Sequence, residues 1–441
     1  MMEHTPAAST GSRRQAAGKT WRARPHRATT LLVSSAPSAT ELRSRGAPDR
    51  LVVVFSDIEM GAGGPYDDFL RSDYLADVIR GYGLDPLRRL AVDLVFNGDT
   101  FDLLKTSSRG GWPTHVTRDI ALDKMERVAA AHPAFFEAVR EHLRADPGSR
   151  RAFFVVGNHD MDLLYPEVQA AVRERLGGSP GVHFPGFDLS LGRVHVEHGS
   201  QLDPLFYVDP ARPFVAMRSG ENVLGLSWAT VALLEVVIPL QPLLYHHDRL
   251  KPKELVLELL PEVRELFTNG FWTYWTHRYL RELVSGDPLK SVSWTMLKEL
   301  VRRRVSGDVD VAMGDALQRR MIESDDADLY LVGHQHEPGW WSHGHRKVLR
   351  TGCVRDEFML LERGRAQVPL NKTWAEVYLR GDQVVRSHLV ERVAPERPPG
   401  TTPDSIFDVV PALRERLAEQ RASTDTRKAA QAAQEARERS G

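Results

Sequence analysis

Five apolar runs in this chain each end in a cluster of side chains able to do chemistry. Asp57 and Glu59 follow the run 51–55. Asp99 and Asp102 follow 91–96, and Asn158, His159 and Asp160 follow 153–156. His198 follows 194–196, and His334 and His336 follow 329–332. Carboxylate, amide and imidazole groups suit manganese, iron, zinc or cobalt rather than a soft-metal site. Asp57, Asp99, Asn158, His198, His334 and His336 are more donors than one divalent ion needs. They suit two ions sharing a bridging carboxylate, a pair that polarises a phosphoryl oxygen and makes bound water hydroxide-like near neutral pH. Taken singly each residue has a plainer reading: Asp57 and Asp99 as helix caps, His198 as a hydrogen-bonded loop residue. Five repeats of one pattern, each straight after an apolar run, argue for a site.

The runs that carry these residues read as buried strands. In an open α/β sheet, ligands sit beyond the carboxyl ends of the strands. Helical stretches are expected over 67–80, 117–144 and 166–176, and strands over 346–350, 374–379 and 384–389. Strands alternating with helices predict an α/β sheet. The later strands, which lack helices between them, predict a second, partly antiparallel sheet packed on the first.

At 441 residues the chain is long enough for a large core and an appendage. A net charge of −1 gives no reason to expect general nucleic-acid binding. The single cysteine, Cys353, excludes an intrachain disulfide and a cysteine-built zinc site. Residues 1–48 are rich in Ala, Ser, Thr and Arg and poor in acids. They read as a solvated tail in preference to a transit peptide. From 393 onward the chain is Pro-rich and then mostly polar, with one amphipathic helix expected over 405–420 on a stripe of Ile406, Val409, Leu413 and Leu417.

The ordered series (Asp57 with Glu59; Gly98-Asp99 with Asp102; Gly157-Asn158-His159-Asp160; His198-Gly199; Gly333-His334-Gln335-His336) resembles the calcineurin-like metallophosphoesterase superfamily over about 50–392. The stretches 130–136 and 164–169, and Glu197-His198-Gly199 with Asp203-Pro204, look like a subgroup similar to bacterial UDP-2,3-diacylglucosamine diphosphatase. The resemblance implies a four-layer αββα sandwich with two metals at the strand ends. Asp57 and His336 would bind the first ion, Asp99 would bridge, and Asn158, His198 and His334 would bind the second. His159 would face the substrate as general acid, oriented and charged by Asp102. The reaction implied is hydrolysis of a phosphoester or pyrophosphate bond by metal-activated hydroxide. The family's first motif usually ends in histidine, where this chain has Glu59. A carboxylate ligand there would favour Mn or Mg over Zn, so the expected cofactor is two divalent ions, Mn first, with Fe, Zn or Co as alternatives.

The domains expected are a tail (1–48), a core in two parts (49–204 and 326–392), an insertion (205–325) and a C-terminal tail (393–441). Candidate helices in the insertion are 254–267, 274–284, 294–305 and 313–322. The apolar stretch 223–240 carries Glu235 and Pro239, so a buried helix is expected rather than a membrane span. As a cap, the insertion would offer an apolar groove for a lipid tail and a peripheral membrane contact. His246, His247 and His277 have no motif context. The expected location is cytoplasmic or peripheral at the membrane, and the oligomeric state is open. Two function classes remain: a metal-dependent phosphohydrolase, including a lipid-linked nucleotide pyrophosphatase, and a binding protein that lost turnover through the change at Glu59.

Overall fold

Each of the five apolar runs forms a strand, and two sheets stack on one another. The computed structural model describes residues 47–274, 284, 287, 289, 298, 316–321 and 326–423. In chain order the main strands are β1 (Arg50–Phe55), β2 (Ala91–Asn97), β3 (Arg150–Val155), β4 (Val182–Gly186), β5 (Asp188–Leu191) and β6 (Val194–Glu197). They continue with β7 (Leu329–Val332), β8 (Pro338–His343), β9 (Arg346–Thr351), β10 (Lys372–Arg380) and β11 (Gln383–Arg392). The first sheet runs β11-β10-β1-β2-β3-β4 and the second β8-β9-β7-β6-β5. Strands β1 to β4 are parallel neighbours, as are β6, β7 and β9. Their carboxyl ends therefore converge.

Side-chain alternation along β1 explains the layering. Val52 and Val54 point between the sheets, with Val95, Val155, Val196 and Leu331. Leu51, Val53 and Phe55 point the other way, under the helices. A strand buried on both faces reads as an unbroken apolar run. The outer helices are α1 (Ser72–Gly81), α2 (Arg118–Ala131), α3 (Pro133–Ala145) and α4 (Pro166–Arg175). α1 buries Leu75, Ala76 and Ile79 at helical spacing. Phe96 stacks on Phe154 at 4.9 Å and meets Phe135 edge-on at 5.2 Å. Truncating Phe96 to Ala should cost about 3–5 kcal/mol. On the far side of the second sheet, Tyr330, Val332 and Val348 pack against Leu317 and Met321 of the helical residues 316–321. Helix, sheet, sheet and helix give the αββα sandwich.

Several elements differ from the sequence reading. The single helix expected over 117–144 is two, because Pro133 lacks the N–H that would continue α2 and instead opens α3. The first helix starts at Ser72 rather than 67, since Asp67 folds back to accept from Gly61, Gly63 and Phe69. Strands β10 and β11 extend the first sheet, with β10 antiparallel to β1, and do not join the second. In the insertion, Pro261 splits the expected 254–267 helix into α5 (Lys253–Leu259) and α6 (Pro261–Thr273). Residues 222–224 are a short strand, and 228–244 form successive short helical turns rather than one helix. No helix among the described residues is long and apolar enough to cross a membrane. The helix near the C-terminus occupies 410–423, and Ile406, Leu413 and Leu417 are buried against the insertion. The tail 1–46, His277 and most of 275–325 lie outside the described residues.

Candidate metal centre

Every strand that the sequence singled out delivers its polar cluster to one place. Asp57 and Asp99 each follow their strand by two residues, Asn158 follows β3 by three, and His198 follows β6 directly. His334 lies two residues beyond β7. The backbone at these points is unusual: among the described residues, five of the eight non-glycine positions with positive φ are Asp57 (51°), Glu59 (53°), Asp99 (49°), His334 (72°) and His336 (61°). Left-handed backbone in non-glycine residues carries strain of order 1–3 kcal/mol and clusters at functional sites. Here hydrogen bonds hold the loops in it. Ile58 N and Glu59 N both donate to Asp99 O (2.9 and 2.8 Å), Arg355 N donates to Asp57 O (2.9 Å), and Gly333 N to His198 O (2.8 Å). Gly333 is required for this approach, since a Cβ there would lie 2.6 Å from Asp57 Oδ2.

Asp99, His198 and His334 offer donor atoms within 4.8 Å of one another. His198 Nε2 is 3.1 Å from Asp99 Oδ2 and 3.2 Å from Asn158 Oδ1. The other ring nitrogen, Nδ1, contacts Asn97 O at 3.1 Å, which aims Nε2 into the group. Burial disfavours the His198 cation, but the carboxylates of Asp99 and Asp57 outweigh it and push the pKa up to about 10. The same negative field would attract a divalent ion. His334 goes the other way: burial and the neighbouring His198 push it down to about 3, which leaves a neutral imidazole free to ligate. Donor types, convergence and field all fit one divalent ion on Asp99, Asn158, His198 and His334.

The other expected ligands are arranged differently. Asp57 Oδ1 is 3.3 Å from His336 Nε2 and 4.0 Å from His198 Nε2. Its carboxylate also accepts from the His334 N–H and from Ser56 Oγ. His336 is oriented from behind by Glu357, with Nδ1 at 2.8 Å from Oε1. Glu59 Oε1 lies 3.5 Å from His336 Nε2. Both oxygens of Glu59, however, are 2.7 Å from Arg355 Nη1, and Lys105 Nζ is 3.0 Å from Oε2. Burial raises the Glu59 pKa, but Arg355 and Lys105 outweigh it and hold the carboxyl well below its usual range.

His159 and Asp102 meet as expected. His159 Nδ1 is 2.9 Å from Asp102 Oδ1, and its backbone N–H donates to Asp99 Oδ1 at 2.8 Å. Burial opposes the imidazolium, while Asp99, Glu59 and Asp102 together raise its pKa to about 10. Asp160 does not face the centre. Its oxygens accept from Gly157 N (2.7 Å) and Thr100 N (2.8 Å), so it braces two ligand loops against each other. Sequence reasoning missed Asp68, Lys105, Asp248, Arg355 and Glu357. The signal available was the charged triplet Arg355-Asp356-Glu357 between two apolar segments, all of it buried.

A cavity of about 410 Å³ opens directly on these groups. Asn158, His159, His334 and His336 form one wall. The insertion supplies an apolar wall that includes Leu233, Val237, Ile238, Val256, Leu257 and Phe271. Asp248 and Arg249 pin the insertion there: Arg249 Nε donates to Asp68 at 2.7 Å, and Asp248 Oδ2 lies 3.1 Å from Arg355 Nη2.

No family model matches the chain, and no curated protein matches it. Among solved structures, a dimetal phosphatase from Danio rerio superimposes with a TM-score of 0.30 and 13% identity, over 78% of this chain and 100% of that one. So loose a likeness carries no argument about chemistry, which rests here on the residues.

Proposed function

We propose that the chain is a metal-dependent phosphoester hydrolase acting on a substrate with an apolar moiety. One observation carries the reading: a convergent Asp-Asn-His-His donor set and a carboxylate-oriented histidine share one cavity with an apolar wall. A divalent ion on Asp99, Asn158, His198 and His334 would supply Lewis-acid polarisation and acidify water. The chain's own groups would do the rest. His159, kept protonated by its three carboxylates, donates to a phosphoryl oxygen or to the leaving oxygen. Asp102 fixes the ring through Nδ1 and leaves Nε2 toward the cavity. Asp160 keeps the loops of Asp99 and Asn158 in register. The apolar wall excludes water and holds the remainder of the substrate.

The resemblance to calcineurin-like metallophosphoesterases supports the reaction class. The apolar wall favours its finer form, a lipid-linked phosphoester or pyrophosphate met at a membrane surface. The decisive experiment is a hydrolysis screen of the purified chain with and without added Mn²⁺. It should cover short phosphomonoesters, phosphodiesters, and nucleotide diphosphates with and without acyl chains. Ion-dependent release of phosphate or nucleotide, fastest with an acyl chain, is expected. Binding of these compounds without turnover under any added ion would make the chain a binding protein instead.

A further inference from the structure

Two buried cations lie against Glu59, the residue that the sequence offers to the first ion. Arg355 and Lys105 have side chains only 3% and 11% exposed, and both touch Glu59. Each is held from several sides. Arg355 lies 3.1 Å from Asp248 and 3.5 Å from Asp68. Lys105 pairs with Asp68 and lies 3.0 Å from Asp248, and its backbone N–H donates to Asp102. Both also line the cavity beside Asn158, His159, His334 and His336. Arg355 Nε has no hydrogen-bond acceptor among the described residues, with Glu357 Oε1 3.9 Å away.

We infer that Lys105 and Arg355 take over the charge role of an ion at the first position, so that the centre works with one divalent ion and a guanidinium–ammonium pair facing the phosphoryl oxygens. Glu59 is then the counter-charge that anchors this pair and not a metal ligand. The physical reason is local. Both oxygens of Glu59 already accept from a guanidinium nitrogen at 2.7 Å. A dication bound to Glu59 would have to displace the Arg355 and Lys105 contacts that its oxygens already make. Without Glu59 the first position keeps only Asp57, His336 and a share of Asp99, whose carboxylate also serves the other ion. Of the Arg355 nitrogens, Nε is left without an acceptor among the described residues, and a guanidinium N–H suits a phosphate oxygen. The phosphoryl half of this inference rests on the hydrolase reading; the ion count does not.

The test is ion stoichiometry on the full chain, by dialysis against rising Mn²⁺ or Zn²⁺ and elemental analysis of the protein. One ion per chain is expected over at least a hundredfold range of free metal. Two ions taken up within about tenfold of each other in concentration would overturn the inference. Lys105→Gln combined with Arg355→Gln, checked for folding by circular dichroism, should admit a second ion by freeing Glu59. Lys105→Gln alone, at the more exposed position, should tighten second-ion uptake at least tenfold, and unchanged uptake in a folded variant also counts against the inference. Orthovanadate binding to the ion-loaded protein, followed by calorimetry, should weaken at least tenfold in Lys105→Gln. Unchanged binding would remove the cations from the phosphoryl site. Turnover with two tight ions refutes this inference alone, whereas one ion without turnover refutes the hydrolase alone.

Discussion

Asp102→Asn isolates what the carboxylate does for His159. The amide keeps an oxygen to accept the Lys105 backbone N–H at 3.0 Å, so the loop should survive. What is lost is one negative charge 2.9 Å from Nδ1, between side chains 2% and 12% exposed. Coulomb attraction at that distance is about 6 kcal/mol for an effective dielectric near 20. A hydrogen bond to a charged group is worth about 1.5–3 kcal/mol net, which converts to roughly one to two pH units. The His159 pKa should therefore fall from about 10 to roughly 8–9. A general acid works only while protonated, so the alkaline limb of kcat/KM should move down by that amount. The assay compares an alkyl phosphodiester, whose leaving oxygen needs a proton, with a nitrophenyl ester, which needs little help. The alkyl ester should lose roughly 2–10-fold near pH 9 and the nitrophenyl ester far less. An unmoved alkaline limb, or equal loss on both esters, would refute the assignment of His159 as the acid.

His159→Asn should keep the metal content of the wild type while turnover drops roughly 10²–10⁴-fold; loss of an ion by elemental analysis would make His159 a ligand. Leu257→Asp puts a charge on the apolar wall and should abolish hydrolysis of long-chain substrates while sparing a short soluble ester, and equal loss on both would leave the wall merely structural. His142 provides a test of stability. It is 6% exposed and lies 3.2 Å from Val92 O, and burial with the nearby Arg150 pushes its pKa down from 6.5 to about 4. Between those values the unfolded chain binds the proton and the folded one does not, so stability falls as pH falls, by about 2 kcal/mol at pH 5. Urea midpoints of wild type and His142→Gln should accordingly converge between pH 7 and pH 5, and parallel curves would show that this proton is not what acid adds.

The donor-bearing strand ends were legible because each is a contiguous event: an apolar run, then a glycine or a sharp turn, then a side chain able to donate to a metal. His159 and Asp102 were also legible, since both lie within such clusters. The cation pair was not. Arg355 meets Glu59 across 296 residues, and Lys105 meets Asp248 across 143; neither spacing leaves a periodic trace. The sheet membership of β10 and β11 was hidden for a related reason. Alternation shows that a strand has two faces but not which sheet edge it will join. The helix breaks at Pro133 and Pro261 were visible in principle, because each proline lacks the N–H that an uninterrupted helix needs at that point.

The left-handed turns that carry the donors also limit what heredity can do with this centre. Among residues with a side chain, Asp, Asn and His enter that backbone region most readily, and β-branched residues hardly at all. Asp57, Asp99, His334 and His336 belong to that tolerant set, so exchanges among them alter the chemistry while leaving the fold largely intact. Glu59, at φ 53°, does not. A random change at these five positions will usually be purged for its backbone before its chemistry is tried. The variants that survive are drawn from a pool already rich in metal ligands. Substitutions that keep this backbone are therefore drawn mostly from residue types able to bind a metal, which makes these positions a favourable place to select for altered ion preference in the laboratory.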